Sequence, residues 1–179
     1  MYSCDRKLGQ RSIAILIGAE LVEFENGMSD SSIIYVDADA CPVKDEVLKV
    51  AIRHEMPIYY VANAFMRLPE DRLVNRVVVP DGPDVADDWI AERATKGDVV
   101  ITQDIPLAGR CLDKGAIVIG NTGREFDDAN IGQALASRAI SQHLREMGEM
   151  GGGAKPFAPR DRSAFLQALE SACRRAKSA

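Results

Sequence analysis

The order of apolar and polar positions along the chain predicts an alternation of strands and helices. Short apolar runs rich in Val, Ile or Tyr have the length and composition of strands buried on both faces. Amphipathic stretches lie between and after them, which predicts an α/β fold with three layers, a parallel sheet of about five strands carrying helices on both faces. The predicted strands are 33–36, 58–61, 76–79, 99–102 and 117–119, and the predicted helices are 42–54, 84–95, 105–114, 128–147 and 161–177.

The two ends of the chain differ from its middle region. Residues 1–27 precede the first predicted strand and nothing in the later pattern requires them, so we expect an N-terminal extension outside the fold. Residues 28–147 carry the α/β pattern. Residues 148–179 begin with a Gly- and Pro-rich stretch typical of a flexible linker and continue into a predicted C-terminal amphipathic helix.

Charge and cysteine content narrow the possible classes of protein. The chain has 179 residues and a formal net charge of −5, which is not typical of a nucleic-acid coat protein or a polybasic membrane binder. Its four cysteines are isolated, so we expect a reducing cytoplasm and no disulfide-linked partner. No apolar run approaches the length of a transmembrane helix, so we expect no membrane partner. The sequence gives no indication of the oligomeric state.

Aspartates follow two of the predicted strands. Asp37 and Asp39 come directly after the strand 33–36, and Asp104 follows the strand 99–102. In an open α/β sheet, ligands bind outside the carboxyl ends of the strands, where the strand order reverses. If these two strands are neighbours, as in the common strand orders, their acidic ends face one crevice.

A second acidic group lies at the start of the helix 84–95. Asp84, Asp87 and Asp88 have the spacing i, i+3 and i+4, and their helix leads into the strand that precedes Asp104. Carboxylates packed closely together repel one another unless a divalent cation holds them. The pattern therefore predicts a Mg²⁺ or Mn²⁺ site for phosphodiester hydrolysis. The structural alternative is that each aspartate is only a helix cap or a turn residue.

Polar and basic residues near the predicted strand ends are candidates for substrate contacts. A cation in the first turn of the helix 42–54 could reinforce a phosphate site at that helix start. The basic C-terminal segment could also contact phosphates, although a solvated helix face is the interpretation we favour. The candidate substrate-binding residues are Lys44, Asn63, Arg67, Thr102 and Arg110, and the basic residues of the C-terminal segment are Arg160, Arg162, Arg174, Arg175 and Lys177.

Two other chemistries have weaker support in the sequence. Cys41 precedes Pro42 at a predicted helix start, where a thiol can have a lowered pKa and be reactive. Neither His54 nor His143 has a sequence reason to pair with that thiol. The turn after the first predicted strand reads Asp-Ala-Asp-Ala-Cys-Pro, without the G-x-G-x-x-G pattern of a dinucleotide-binding turn.

Three long motifs resemble those of the bacterial YaiI/YqxD family, whose domain is also called domain of unknown function 188. They are YVDADACPVKDEV (35–47), VPDGPDVADDWIAERATKGDVVITQDIPLA (79–108) and NTGREF (121–126). The resemblance extends from residue 33 to the final helix and leaves residues 1–27 outside. A more distant resemblance connects this family with PIN and NYN nuclease domains, through the aspartate after the first strand, the acidic helix and the run Thr102-Gln103-Asp104.

The resemblance to PIN domains implies a Rossmann-like, PIN-like fold and a metal-dependent nuclease that cuts RNA. It implies that carboxylates hold Mg²⁺ or Mn²⁺ and that a metal-bound water is the nucleophile. The D-x-D after the first strand departs from PIN domains, which usually show one aspartate there, so the principal ligand among the two stays open. The implied catalytic residues are Asp37, Asp39 and Asp104, and the implied metal ligands are these three with Asp84, Asp87 and Asp88.

Two alternatives remain beside the nuclease interpretation. A D-x-D after the first strand also resembles phosphatases of the haloacid dehalogenase superfamily, in which Asp37 would be phosphorylated, Asp39 would act as acid and base, and Asp104 or Asp98 would hold Mg²⁺. The chain lacks a convincing Thr/Ser and Lys pair in the order those enzymes use. The other alternative is a binding or regulatory module that has the fold without catalysis.

Overall fold

The structure of the protein is a computed structural model. It describes residues 12–17, 20–25, 32–39, 41–147 and 157–178. Most of the predicted linker, residues 148–156, therefore lies outside the described part of the chain.

The chain divides into two units, Met1–Ser31 and Ser32–Ala179. The first unit contains two strands, β1 (Ser12–Ile17) and β2 (Glu20–Glu25), which pair with each other antiparallel. Both strands fall within the predicted N-terminal extension. The second unit contains the predicted α/β fold.

The second unit is built around a six-stranded sheet. Its strands are β3 (Ile34–Asp37), β4 (Ile58–Ala62), β5 (Val74–Val78), β6 (Val99–Ile101), β7 (Ile117–Ile119) and β8 (Glu125–Phe126). Their order across the sheet is β5-β4-β3-β6-β7-β8, and all neighbours are parallel except β7 and β8. The predicted parallel sheet is confirmed. The short antiparallel strand β8 was not predicted, because a two-residue strand leaves no periodic pattern.

Each of the five predicted helices is present in the described residues, with ends within three residues of the prediction. The helix that starts at Lys44 begins later than predicted, because Pro42 and Val43 form a turn before it. The helices are α1 (Lys44–His54), α2 (Val85–Arg93), α3 (Ile105–Leu112), α4 (Ile131–Glu146) and α5 (Pro159–Lys177).

Helices cover both faces of the sheet, because alternate strand residues point to opposite layers. On one face, Ile34 and Val36 of β3 belong to the hydrophobic core that also contains the buried residues of α1 and α5. On the other face, the ring of Tyr35 lies 5.7 Å from that of Tyr59 and 6.2 Å from that of Trp89 in α2. Helix α3 packs beside α2, and α4 packs against α3. The protein therefore has the three-layer α/β, Rossmann-like fold that the sequence predicted.

Helix α5 is part of the same core as β3 and α1. Its Phe165, Leu169 and Cys173 side chains are fully buried, and burial of each large apolar side chain stabilises the fold by about 1.5–3 kcal/mol. Basic residues of α5 reach acidic or carbonyl oxygens elsewhere on the fold, which leaves them less suited to bind phosphates. These contacts are Arg162 to Glu46 (2.6 Å), Arg175 to Glu125 (2.5 Å) and Lys177 to the carbonyl of His54 (2.8 Å), with Arg174 paired to Glu170 in α5 itself (3.1 Å).

Gly123 lies between β7 and β8, where the chain passes against the backbone of α5. Its φ is +84°, and a Cβ at this position would lie 2.6 Å from the carbonyl carbon of Ala164. Both the backbone conformation and the close approach require glycine. The NTGREF motif therefore has a structural role in docking α5.

We predict that Gly123→Ala lowers the free energy of unfolding by about 2 kcal/mol or more, because a Cβ forces α5 away from the sheet. Urea denaturation followed by circular dichroism measures the change. The matched control is Gly132→Ala in α4, where an added Cβ meets no atom within 4 Å. The control variant should be as stable as the wild type or slightly more so. Equal stability of the two variants would contradict this account of the α5 contact.

Candidate functional site

The strand order reverses between β3 and β6, at the centre of the sheet. Strands β4 and β5 are added in turn on one side of β3, and β7 and β8 are added in turn on the other side of β6. A crevice opens at such a reversal, outside the carboxyl ends of the two strands. Asp37 ends β3, and Thr102 follows β6 directly. β3 and β6 are neighbours, so the condition for a shared acidic crevice is met.

The hydroxyl of Thr102 joins the two acidic strand ends. Thr102 Oγ1 donates a hydrogen bond to Asp37 Oδ2 at 2.9 Å and accepts one from the backbone N–H of Asp104, also at 2.9 Å. The side chain is buried, with 2% of the residue exposed. The Thr102 hydroxyl therefore bridges the Asp37 carboxylate and the backbone of Asp104. Sequence reasoning treated Thr102 as a substrate contact, whereas here it orients a carboxylate.

Both carboxylate oxygens of Asp104 have donors. Asp104 is the N-cap of α3, and its Oδ1 accepts a hydrogen bond from the backbone N–H of Leu107 at 2.9 Å. Its Oδ2 accepts a hydrogen bond from Nη1 of Arg138, a residue of α4, at 2.6 Å. Sequence reasoning missed Arg138, because a lone arginine on an amphipathic helix has no motif and reaches the site only through the packing of α4 on α3.

Asp87 of α2 lies close enough to Asp37 and Asp104 for their charges to act on its carboxyl. Burial first, and then the negative charges of Asp104, Asp37 and Asp84, raise the pKa of its carboxyl from 3.8 to about 6, against the opposing charge of Arg110. Burial also raises the pKa of Asp37, where the hydrogen bond from Thr102 works in the opposite direction. The charges of Asp39 and Asp104 add to the rise. The two acidic groups found in the sequence thus interact electrostatically across the crevice.

The other two aspartates of the acidic helix have different surroundings. Asp84 is the N-cap residue of α2 and adopts a left-handed backbone with φ of 59°, without a side-chain capping hydrogen bond. Asp88 is exposed, and its Oδ1 pairs with Nη2 of Arg110 at 2.7 Å. Arg110 therefore neutralises the outer edge of the group, next to Asp87.

Asp39 and Asn63 connect the strand ends on the other side of Asp37. Asp39 is exposed, and its carboxylate lies 3.3 Å from the backbone N–H of Asn63, at the end of β4. The Asn63 side chain donates to the carbonyl of Gly82 at 3.2 Å, in the loop that leads to α2. Asn63 Oδ1 is buried and accepts no hydrogen bond within the described structure. Asn63 therefore ties three loops together beside the crevice.

The remaining predicted substrate residues lie at the rim. Lys44 is the first residue of α1 and is half-buried, and its charge acts on the nearby Cys41. Arg67 is exposed in the loop between β4 and β5. Neither residue has a described contact with the carboxylates of the crevice.

A small depression where the strand order reverses is lined in part by Cys41. The Cys41 thiol is not activated. Burial raises the pKa of the thiol to about 11, which outweighs the lowering effects of the Val43 backbone and Lys44. This environment does not favour a reactive thiol at this helix start. The side chains of Gln103 and Asn121 contact each other at the same edge. The depression is lined by Asp37, Cys41, Ile101, Thr102, Gln103 and Asn121.

Asp98 directly precedes β6, at the amino-terminal ends of the strands and opposite the crevice. Its carboxylate is buried and accepts hydrogen bonds from the backbone N–H groups of Ile33 and Thr95 and from the Thr95 hydroxyl, at 2.9–3.0 Å. It joins β3 to the turn before β6. The role of magnesium ligand that the phosphatase alternative allowed for Asp98 is therefore wrong.

The acidic crevice is an open arrangement of carboxylates. Among the residues that the structure describes, no three His, Cys, Asp or Glu side chains are placed to hold one metal ion together. Asp37, Asp87 and Asp104 nevertheless carry the charge and oxygen chemistry that Mg²⁺ and Mn²⁺ prefer. Mg²⁺ commonly keeps several waters and binds through one or two carboxylates with substrate phosphates, so the residues present fit such an ion.

Two further observations concern the rest of the described chain. Cys41, Cys111 and Cys173 are free thiols. A search of the described residues finds no helix with the length and apolar character needed to span a membrane.

Comparison with known proteins identifies the family. A family model described as "Uncharacterized BCR, YaiI/YqxD family" matches residues 35–175. UPF0178 protein Atu1478 of Agrobacterium fabrum is 59% identical over 144 residues, which cover 80% of this chain and 94% of that relative. A UPF0178 protein of Caulobacter sp. strain K31 is 56% identical over 146 residues, covering 82% of this chain and 97% of that relative. No solved structure matches. On the family match and these identities, the chain belongs to the YaiI/YqxD family.

Proposed function

We propose that the protein is a divalent-metal-dependent hydrolase that cleaves phosphodiester bonds of RNA. The observation that carries this proposal is the group of carboxylates at the strand reversal. Asp37 and Asp87 have raised pKa values, and the charge of Asp104 contributes to both. A divalent cation relieves such repulsion and favours the ionised carboxylates.

We propose that Mg²⁺ or Mn²⁺ binds at Asp37, Asp87 and Asp104, directly through one or two of these carboxylates and through coordinated waters to the remainder. Asp39, Asp84 and Asp88 lie at the rim of the same group, where they can bind ion-coordinated waters. A bound ion of this kind lowers the pKa of a coordinated water and offsets the negative charge of the phosphoryl oxygens.

The chain's own residues orient these groups. Thr102 holds the Asp37 carboxylate in one orientation through its 2.9 Å hydrogen bond, and the cap of α3 holds Asp104. Asn63 keeps Asp39 beside the crevice. Arg110, which pairs with Asp88 at 2.7 Å, and Lys44, the first residue of α1, can bind the phosphates of the substrate.

RNA is the substrate class that we propose, and the distant resemblance to PIN and NYN nuclease domains supports it. The net charge of −5 means that the surface as a whole does not attract a polynucleotide. Binding therefore depends on the bound ion and on the few cations at the rim, including Arg67. We place the activity in the cytoplasm, since the described cysteines are free thiols.

We predict that the wild-type protein binds Mn²⁺ and cleaves single-stranded RNA, and that Asp37→Asn reduces both about 100-fold or more. The asparagine still accepts the Thr102 hydrogen bond, so the fold is kept while the charge is lost. Calorimetry measures the binding of Mn²⁺, and gel electrophoresis of a labelled RNA measures cleavage. The matched control is Asp113→Asn. Asp113 is exposed and lies at the C-terminal end of α3, whereas Asp104 lies at its N-terminal end. This variant should keep the wild-type affinity and rate.

Other outcomes of this experiment separate the alternatives. Hydrolysis of phosphomonoesters, with a phosphoenzyme trapped by a fluoride-based phosphate mimic, would favour the phosphatase. Absence of Mn²⁺ binding up to millimolar concentration, together with absence of cleavage, would contradict the hydrolase and favour a binding module.

The repulsion within the metal-free site predicts how stability depends on pH. The pKa of Asp87 is about 6 in the folded protein against an ordinary value of 3.8. The folded state resists ionisation of this carboxyl. The stability that protonated Asp87 contributes is therefore complete below about pH 4 and is lost as the pH rises through about 6. Asp87→Asn removes this loss, so the variant should gain stability relative to the wild type across that interval. Urea denaturation in metal-free buffer measures the free energy of unfolding of both proteins at each pH. Parallel pH profiles for the two proteins would refute the prediction.

A further inference from the structure

Arg138 is the positively charged partner of Asp104. Its Nη1 lies 2.6 Å from Asp104 Oδ2, while the other oxygen of the same carboxylate accepts the Leu107 N–H. Asp104 is thus bound by a backbone donor on one oxygen and a full positive charge on the other. A divalent ion and a guanidinium on one carboxylate repel each other strongly at such distances.

The pair of Arg138 and Asp104 can open without movement of the backbone. The Arg138 side chain is 40% exposed and that of Asp104 is 26% exposed. Ion pairs that solvent reaches are weak, and a long arginine side chain has many other rotamers available. The hydrogen bond from Leu107 is different, because it belongs to the cap of α3 and remains in place.

We propose that Arg138 and a divalent cation are alternative partners of Asp104, and that the Arg138 guanidinium released by the cation binds a phosphate oxygen of the substrate. This inference rests on the proposed function and adds a phosphate-binding role for α4. The planar guanidinium matches the oxygens of a phosphodiester and does not lose its charge. A substrate phosphate also supplies the negative charge that Arg138 loses when it leaves Asp104.

The first test compares Mn²⁺ affinities of the wild type, Arg138→Gln and Arg72→Gln by calorimetry. Arg72 is the control, since it also pairs with a carboxylate, that of Glu55, and neither residue belongs to the acidic crevice. Both variants remove one positive charge, but only Arg138→Gln removes a competitor for Asp104. We expect Arg138→Gln to bind Mn²⁺ roughly fivefold more tightly than the wild type, and Arg72→Gln to change the affinity by less than about twofold. Equal effects of the two variants would overturn the competition.

Side-chain NMR separates a failure of this inference from a failure of the proposed function. The Nε–H resonance of Arg138, assigned by its loss in Arg138→Gln, should shift as Mg²⁺ is added to the wild type. If backbone resonances of Asp37 and Asp104 shift while that of Arg138 Nε–H does not, the metal site stands and the competition is overturned. If none of these resonances shifts and calorimetry detects no Mn²⁺, both the proposed function and this inference are overturned.

The second test addresses the phosphate contact, with a labelled single-stranded RNA whose binding is measured at low temperature before cleavage begins, as gel electrophoresis of the bound RNA verifies. Its affinity is measured against salt concentration for the wild type and Arg138→Gln, with and without Mg²⁺. Loss of one phosphate contact lowers the slope of log affinity against log salt by about 0.7 for a single strand. We expect this decrease only when Mg²⁺ is present. The same decrease without Mg²⁺, or no decrease in either condition, would overturn the phosphate role of Arg138.

Discussion

The parallel pairing of β3 with β6 is the constraint on which the candidate site depends. It reverses the strand order at the centre of the sheet, and so brings the carboxyl ends of two strands distant in sequence to one crevice. The buried Thr102 hydroxyl then bonds to both Asp37 and the backbone of Asp104. If β6 paired elsewhere, the acidic motifs would lie on different parts of the surface. The two faces of the sheet, each covered by helices, hold this pairing in place.

The crevice concentrates negative charge that the fold only partly compensates. Arg138 neutralises Asp104 and Arg110 neutralises Asp88, both from the exposed side. Burial and the neighbouring carboxylates still raise the pKa values of Asp37 and Asp87. A structure stabilised by apolar layers on both sides can tolerate such a cost at one edge. Repulsion retained at a strand reversal is typical of a functional site, because a purely structural turn has no need of it.

The sequence was sufficient to predict the layers of the fold and the position of the crevice. Strands such as 33–36 and 99–102 are short Val- and Ile-rich runs, and helices α1, α3 and α5 have an amphipathic period, so local pattern and tertiary structure agree there. The general rule for doubly wound sheets placed both acidic strand ends at one crevice on the condition that the two strands are neighbours, and the pairing of β3 with β6 meets that condition. The carboxylates could be named because aspartates at strand ends are visible in the sequence.

Other features depend on contacts that no local pattern encodes. Arg138 reaches Asp104 only because α4 packs on α3, and Asn63 gains its role from a loop that passes Gly82. The need for Gly123 arises from the approach of α5. The Cys41 thiol was open to interpretation as reactive because burial, which raises its pKa, cannot be read from its position before a helix. In each case the deciding partner lies on another element.

The central claim is that a divalent ion binds between the ends of β3 and β6. Crystals of the wild-type protein soaked in Mn²⁺ and measured at the manganese absorption edge test it most directly. The account predicts an anomalous peak in contact with the carboxylates of Asp37 and Asp104, with the Arg138 side chain turned away from Asp104. Full-occupancy manganese elsewhere, with Arg138 still bonded to Asp104 and no peak in the crevice, would contradict it.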